Sequence, residues 1–394
     1  MAFPAFPLTR ANALERLDSF LPAAAGAYAR LRNKEKGQGQ HEHVSRLSAA
    51  LRRRVVSEEE VVSAVLERHS LAAAEKFVSE VFWRTYWKGW LEQRPEVWEQ
   101  YLGSVQEARD ALDATAARRA RYQAAIEGRT GIDCFDAWVA ELEETGYLHN
   151  WARMQFASIW IFTLDLPWEL GAAHMVDRLI DADPASNTLS WRWVAGLHTA
   201  GKAYLADPER IRSMTDGRYS PKGLARAARI PSDRIAVPSP TSIRTAVLPD
   251  PVIPTLLLVT TEDLSMENID TMRRLPVKAI ALIKGRSEWD EIALGDALSR
   301  LAEIWPEATA LGTVDPDRLA DTARAAGCTQ IATAFLPVGP VASSIAPYRA
   351  DLAKSGVAFS ESLRDWDRHG WPHCRKGFFA LKEKIPALIR SARA

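Results

Sequence analysis

The sequence predicts an α plus α/β protein: an all-helical half followed by a small, doubly wound parallel α/β half. From residue 9 to about residue 205, apolar positions recur at helical spacing, with few β-branched runs and with alanine-rich stretches such as 111–126. Pro221, Pro231, Pro238, Pro240, Pro249, Pro251 and Pro254 then crowd a stretch in which no period persists. Beyond Pro254, short aliphatic and β-branched runs alternate with helical ones, the pattern of a parallel sheet whose strands are joined by helices. The expected boundaries are a helical domain over 1–215, a Pro-rich linker over 216–254 and an α/β domain over 255–394.

In the helical half, Lys36-Gly-Gln-Gly-Gln40 and Gly128-Arg-Thr-Gly131 read as turns, the second ahead of a helix that Asp133 is placed to cap. In the α/β half, residues 255–260, 277–283, 329–333 and 357–359 read as buried strands. Helices are expected around 294–304, 316–326 and 345–355. Neither G-x-G-x-x-G nor a phosphate loop follows any of these strands, so the pattern supports a fold and not a nucleotide site.

A chain of 394 residues exceeds one ordinary core, and its 50 basic and 50 acidic residues balance. Any nucleic-acid surface must then be a local patch. Cys134, Cys328 and Cys374 are scattered, with no CxxC pair, which argues against a disulfide framework, a metal site or an iron–sulfur cluster. The start Met-Ala-Phe-Pro-Ala-Phe-Pro is too short and proline-broken for an export signal, and no run of about 18 apolar residues occurs. The expectation is a soluble cytoplasmic protein that does not enter a membrane. Of 14 Trp, ten lie before residue 200, a clustering that core packing alone does not require.

Chemistry gathers in four runs. In Thr145-Gly-Tyr-Leu-His-Asn-Trp-Ala-Arg-Met154, positions i, i+3 and i+4 put the amide of Asn150, the guanidinium of Arg153 and the thioether of Met154 on one helix face. Leu179-Ile-Asp-Ala-Asp-Pro-Ala-Ser-Asn-Thr-Leu-Ser-Trp-Arg-Trp193 adds Asp181, Asp183, Asn187, Trp191 and Trp193. Glu80-Val-Phe-Trp-Arg-Thr-Tyr86 sets Glu80 and Trp83 on one face, where a buried glutamate is costly unless something polar docks. Ser45 and Ser48 of Val44-Ser-Arg-Leu-Ser48 precede an apolar helix; they suit an anion at its start and suit simple capping equally well.

These runs resemble the flavin-binding core of the DNA photolyase and cryptochrome family. The resemblance implies non-covalent FAD. Tyr28, Ser45, Arg46, Leu47 and Ser48 would lie toward its diphosphate, and Phe77 and Arg84 would also contact it. Asn150, Arg153, Asp181, Asp183 and Asn187 would surround the flavin, with Asn187 facing N5 and an Arg153–Asp181 ion pair beneath the ring, though a purely structural pair remains open. Glu80, Trp83, Asn150, Met154 and Trp193 match the positions that meet a pyrimidine dimer in photolyases, and Trp191 and Trp168 match the first two members of the photoreduction chain. Its third member aligns with Thr115; Tyr122, Trp98 and Trp160 are candidate replacements.

Other departures are Val44 for a threonine and Trp151 for an arginine that meets a DNA phosphate. The α/β domain that opens photolyases resembles the end of this chain, which implies a circular permutation. That domain would serve structurally or cradle an antenna pigment of unknown kind. The local clusters Arg52-Arg-Arg54, Arg118-Arg119 with Arg121, and Arg218 through Arg234 are either solvated faces or a surface for UV-damaged DNA, double- or single-stranded. Two activities follow from the resemblance: a photolyase-type lyase that repairs pyrimidine dimers with light, or a cryptochrome-like photoreceptor that signals to a protein partner.

Overall fold

In a computed structural model of the chain, residues 6–199, 201–233, 235 and 237–393 are described. The start of the chain and Arg234 of the third arginine cluster lie outside them. Among the described residues no helix is long and apolar enough to cross a membrane, and no group of His, Cys, Asp and Glu is arranged to hold a metal ion. All three cysteines are buried and free.

Two compact units form, and neither is continuous in sequence. One draws on Met1–Pro22, Ser45–Gln93 and Pro240–Ala394, the other on Ala23–Val44 and Arg94–Ser239.

The first unit holds a five-stranded parallel sheet: β1 (Thr255–Val259), β2 (Val277–Ile283), β3 (Thr309–Val314), β4 (Gln330–Ala334) and β5 (Ala358–Ser362), in the order β3-β2-β1-β4-β5. Buried Leu256, Leu258, Ala279, Ala281 and Ile331 fill a core with Leu319, Ala323 and Leu352 from the crossover helices. β3 was not expected from the sequence. It is an edge strand with most of its residues exposed, so no apolar run marks it.

The strand order reverses between β1 and β4, the point at which open α/β sheets commonly take a ligand. Here the end of β1 is taken up by ion pairs. Glu262 accepts from Arg52 Nη2 and Lys88 Nζ, each at 3.1 Å, and Asp263 takes Arg364 at 2.6 and 2.8 Å. Arg54 bonds Glu58 at 3.0 Å and Asp367 at 2.8 Å, while Arg53 bonds Asp290 at 2.7 Å. The run Arg52-Arg-Arg54 is therefore buried and paired with acids. This corrects the reading of it as a surface patch: unpaired burial of three guanidinium groups would be prohibitive, and each is paired with an acid more than 200 residues away. Helices of the 45–93 segment and the strands thus share one ionic core.

The second unit is helical throughout its regular structure, from Gly26–Leu31 to Pro208–Met214. Its helix Asp133–Thr145 begins at Asp133 and is not capped by it. Ile132 is the N-cap residue, and Asp136 satisfies the turn instead, accepting from Thr130 N at 2.9 Å and Gly131 N at 2.8 Å. The described residues of 216–254 contain neither helix nor strand. Arginines and an acid pin parts of this stretch: Arg218 to Glu35 and Asp233 to Arg192 in the second unit, Arg244 to Glu361 in the first.

Candidate flavin site

In the first unit, the turn before helix Ser48–Arg52 carries one group of site residues. Arg46 adopts φ +57°, a left-handed conformation that costs a non-glycine residue free energy. Ser45 Oγ accepts from Leu47 N at 3.3 Å, and Arg16 Nε donates to Ser45 O at 2.7 Å. Leu47 is fully buried and anchors the turn. Burial, then the neighbouring Arg46 charge, pull the Arg16 guanidinium down to about 10, so two cations lie close together. Ser48 Oγ and Arg46 Nε are buried with no hydrogen-bond partner among the described residues. An anion would relieve the repulsion and fill the empty donors, so this turn fits the diphosphate of a dinucleotide.

Helix Leu71–Glu92, capped by Ser70, carries the next group. Phe77 is buried against Phe20, ring centroids 5.0 Å apart. Glu80 is half-buried, more open than the sequence suggested. Arg84 Nε donates to Glu58 Oε1 at 2.9 Å and its Nη2 to Arg52 O at 2.9 Å, which fixes the side chain in the ionic core. Trp83 is stacked on Phe378, with centroids 3.8 Å apart and planes 10° from parallel, and is flanked by Tyr86 and Trp87. One face of this indole is covered by a side chain nearly 300 residues away.

In the second unit, helix Asn150–Ser158 begins at His149, whose Nδ1 accepts from Trp151 N at 3.3 Å. Burial, then the His41 and Arg153 charges, lower the His149 imidazole to about 3, so it caps as a neutral ring. Asn150 is exposed; Arg153 and Met154 are half-buried. Arg153 donates to Asp181 Oδ2 at 2.9 Å and to Leu148 O at 2.8 Å, and its guanidinium lies 5.2 Å from the centre of the buried Tyr147 ring. Burial alone would lower the Arg153 pKa, but the Asp181 carboxylate raises it. Asp181 Oδ1 is buried with no hydrogen-bond partner among the described residues.

Asp183 caps helix Pro184–Val194, its Oδ1 accepting from Ser186 N at 2.7 Å, and Pro184 opens the first turn. One turn in, Asn187 Nδ2 donates to Ala172 O at 2.9 Å, so the amide is held in one orientation. Gly171 lets this helix approach Trp168–Arg178: an added Cβ would stand 2.3 Å from Trp191 Cη2. Trp191 and Trp168 are buried; Trp193 is half-buried against Tyr204, centroids 5.7 Å apart. Tyr28 is buried on helix Gly26–Leu31.

Sequence reasoning missed several residues. Arg192, fully buried between two site indoles, makes a bidentate pair with Asp233 at 2.9 and 2.8 Å and faces Trp168 at 5.7 Å. A charge flanked by tryptophans in Trp191-Arg-Trp193 was its one sequence signal. Arg16, Glu58 and Phe378 left no such trace. Of the remaining arginine clusters, Arg118, Arg119 and Arg121 are exposed, as are Arg226 and Arg229.

Each unit thus holds buried polar atoms without a hydrogen-bond partner among the described residues, beside fixed charges. Residues 77–245 match the family model described as the FAD binding domain of DNA photolyase. Deoxyribodipyrimidine photo-lyase of Streptomyces griseus is 36% identical over 156 residues, 39% of this chain and 32% of the relative. That of Thermus thermophilus is 33% identical over 204 residues, 51% and 46%. Cryptochrome-1 of Arabidopsis thaliana is 32% identical over 121 residues, 30% and 18%. The crystal structure of a bacterial class III photolyase from Agrobacterium tumefaciens is similar with 28% identity and a TM-score of 0.45, over 53% of this chain and 43% of that one. Over its matched part the chain is similar to members of the DNA photolyase and cryptochrome family. It spans less than half the length of these curated relatives.

Proposed function

We propose that the protein is a photolyase-like flavoprotein that binds FAD non-covalently and repairs pyrimidine dimers in DNA with light. The observation that carries the cofactor is the Arg153–Asp181 pair, whose buried carboxylate has no hydrogen-bond partner for Oδ1 among the described residues. Tyr28, Ser45, Arg46, Leu47 and Ser48 are assigned to the diphosphate, helped by Arg16, and Phe77 and Arg84 to further contacts. Asn150, Arg153, Asp181, Asp183 and Asn187 are assigned to the flavin ring and its surroundings. When bound and excited, the flavin would supply the electron that passes to the lesion.

The chain's residues do the rest. Asn187 is held through Nδ2 and so presents its amide oxygen as an acceptor at a fixed place. Glu80 hydrogen-bonds the dimer and shares its proton with the reduced lesion. Met154 and Asn150 line its approach, and Trp83 and Trp193 supply flat apolar surfaces for a base flipped out of a weakened pair. Exposed Arg118, Arg119, Arg121, Arg226 and Arg229 meet phosphates in this reading, with no contribution from Arg52, Arg53 or Arg54. The α/β half stands in photolyase-like guise at the other end of the chain, a circular permutation, and its role is structural.

A photoreceptor without repair activity is the second reading. It is favoured by Phe378, which covers one face of Trp83 and would compete with a stacked lesion. A single experiment separates the two: illumination of purified, flavin-loaded protein with single- and double-stranded oligonucleotides carrying a thymine dimer. Light-dependent restoration of thymine supports repair. Flavin photoreduction with no restoration in either substrate supports the photoreceptor, and protein that releases no FAD on denaturation refutes both.

A further inference from the structure

We propose that Trp160 and Tyr122, in line behind Trp191, are the electron-donating relay of this protein, with the Tyr122 phenol as the terminal donor. The proposal rests on the flavin reading and names the donor that serves it.

The geometry lies within the second unit. Trp191 meets Trp160 edge to face, centroids 6.2 Å apart at 88°, and Trp160 meets Tyr122 at 5.8 Å and 89°. Both indoles press on one glycine: a Cβ on Gly171 would lie 2.5 Å from Trp191 Cζ3 and 2.9 Å from Trp160 Cε2. A π-helical turn, Ile159–Thr163, sets Trp160 there. Trp191 and Trp160 are buried and Tyr122 is half-exposed, so the line runs from the interior to solvent.

Electrostatics separates this line from the one through Trp168. Oxidation of an indole makes its ring cationic and its N–H strongly acidic, so a hydrogen-bond acceptor stabilises the oxidised state and a nearby cation opposes it. Trp160 Nε1 donates to Pro167 O at 2.9 Å. The His174 ring stacked on it, 6.0 Å away, is kept neutral, its pKa lowered to about 3 by burial and then by Arg178. Trp168 has the opposite surroundings. Its Nε1 has no acceptor among the described residues, and the Arg192 guanidinium stands 5.7 Å from its ring. Behind Trp168 come Tyr101 at 5.7 Å and Trp98 at 5.6 Å from Tyr101, both buried. Burial pushes both phenols up, Tyr101 the further, and enclosed Tyr101 has no ready exit for its proton. Tyr122 borders solvent and can release its own.

One electron leaves Trp191 for the photo-excited flavin; Trp160 refills Trp191, and Tyr122 refills Trp160. The Tyr122 O–H bond breaks with its electron passing inward and its proton passing to water, leaving a neutral phenoxyl radical. A soluble thiol returns one electron and one proton, and two thiyl radicals couple to a disulfide.

The test is flash photolysis of the holoprotein with a thiol, combined with freeze-quench magnetic resonance of protein labelled with deuterated tyrosine. The parent should yield a tyrosyl radical whose spectrum narrows on labelling and whose formation slows in heavy water. Tyr122→Phe should stop at a tryptophan radical. Steady photoreduction should fall at least about tenfold in Tyr122→Phe and Trp160→Phe, and by less than either in Trp168→Phe. If Trp160→Phe loses its flavin or its fold, half-exposed Tyr122 still decides the matter. A parent that forms only tryptophan radicals, or a Trp168→Phe loss larger than that of Tyr122→Phe, overturns the relay. Denatured protein that releases no FAD overturns the flavin reading itself, and the relay with it.

Discussion

Glu58→Gln should lower stability by about 3 kcal/mol at neutral pH, and the loss should fade in acid. Glu58 is 1% exposed in the first turn of helix Glu58–Arg68 and receives Arg54 Nε at 3.0 Å and Arg84 Nε at 2.9 Å. Burial alone would raise its pKa. The Arg54 and Arg84 charges outweigh burial and bring it from the ordinary 4.5 to about 2. A depression of that size corresponds to about 3 kcal/mol, with each unit worth about 1.4 kcal/mol. Breaking a buried pair independently predicts about 3–5 kcal/mol. The lower end applies, since Arg54 keeps Asp367 and Arg84 keeps the Arg52 carbonyl. Because the folded pKa lies below the unfolded one, this contribution is complete above about pH 4.5 and is lost as pH falls toward about 2. Urea unfolding at pH 7, 5 and 3 measures it. The gap between parent and variant should be full at pH 7 and smaller at pH 3. A gap under about 0.5 kcal/mol at pH 7, or one that does not change with pH, would refute the assignment of Glu58 as the shared acceptor of two arginines.

Asp181→Ala leaves Arg153, whose side chain is 21% exposed, without its acid and should cost about 2–3 kcal/mol while emptying the flavin site; unchanged flavin content per protein and an unchanged urea midpoint would count against it. Gly171→Ala drives a methyl into two indoles and should cost about 1–3 kcal/mol by overpacking, read as a lower melting temperature. An unaltered melting temperature would mean the two indoles yield freely. Phe378→Ala uncovers Trp83 and should lose about 3 kcal/mol, since Phe378 is buried, while acrylamide quenching of tryptophan emission rises. Tighter binding of a dimer-containing oligonucleotide by this variant would favour repair, and unchanged binding would favour the photoreceptor.

The fold was legible wherever burial leaves a periodic trace. Residues 255–260 and 277–283 read as strands because central strands of a parallel sheet are aliphatic on both faces, and β1 and β2 lie there. β3 left no trace because its side chains face solvent. The Asn150, Arg153 and Met154 face was legible from helical spacing alone. Arg153 bonds Asp181 only 28 residues on, within a run already marked by its chemistry.

By itself the sequence determined the kinds of elements and the balance of charge, and it marked the residues expected to hold a flavin, since these depend on spacing along a helix or on side-chain identity. Only the tertiary structure decided what those residues face. Arg52, Arg53 and Arg54 read as a basic patch, yet folding brings Glu262, Asp290 and Asp367 to them and turns a surface charge into a buried lattice. Trp83 reads as a platform, but Phe378 lies on it; Trp168 reads as a relay, but Arg192 stands over it. The physical reason is common to all three. The energy of a charge or a ring is set by its nearest neighbours in space, and where those neighbours belong to another element of the chain, no local pattern encodes them.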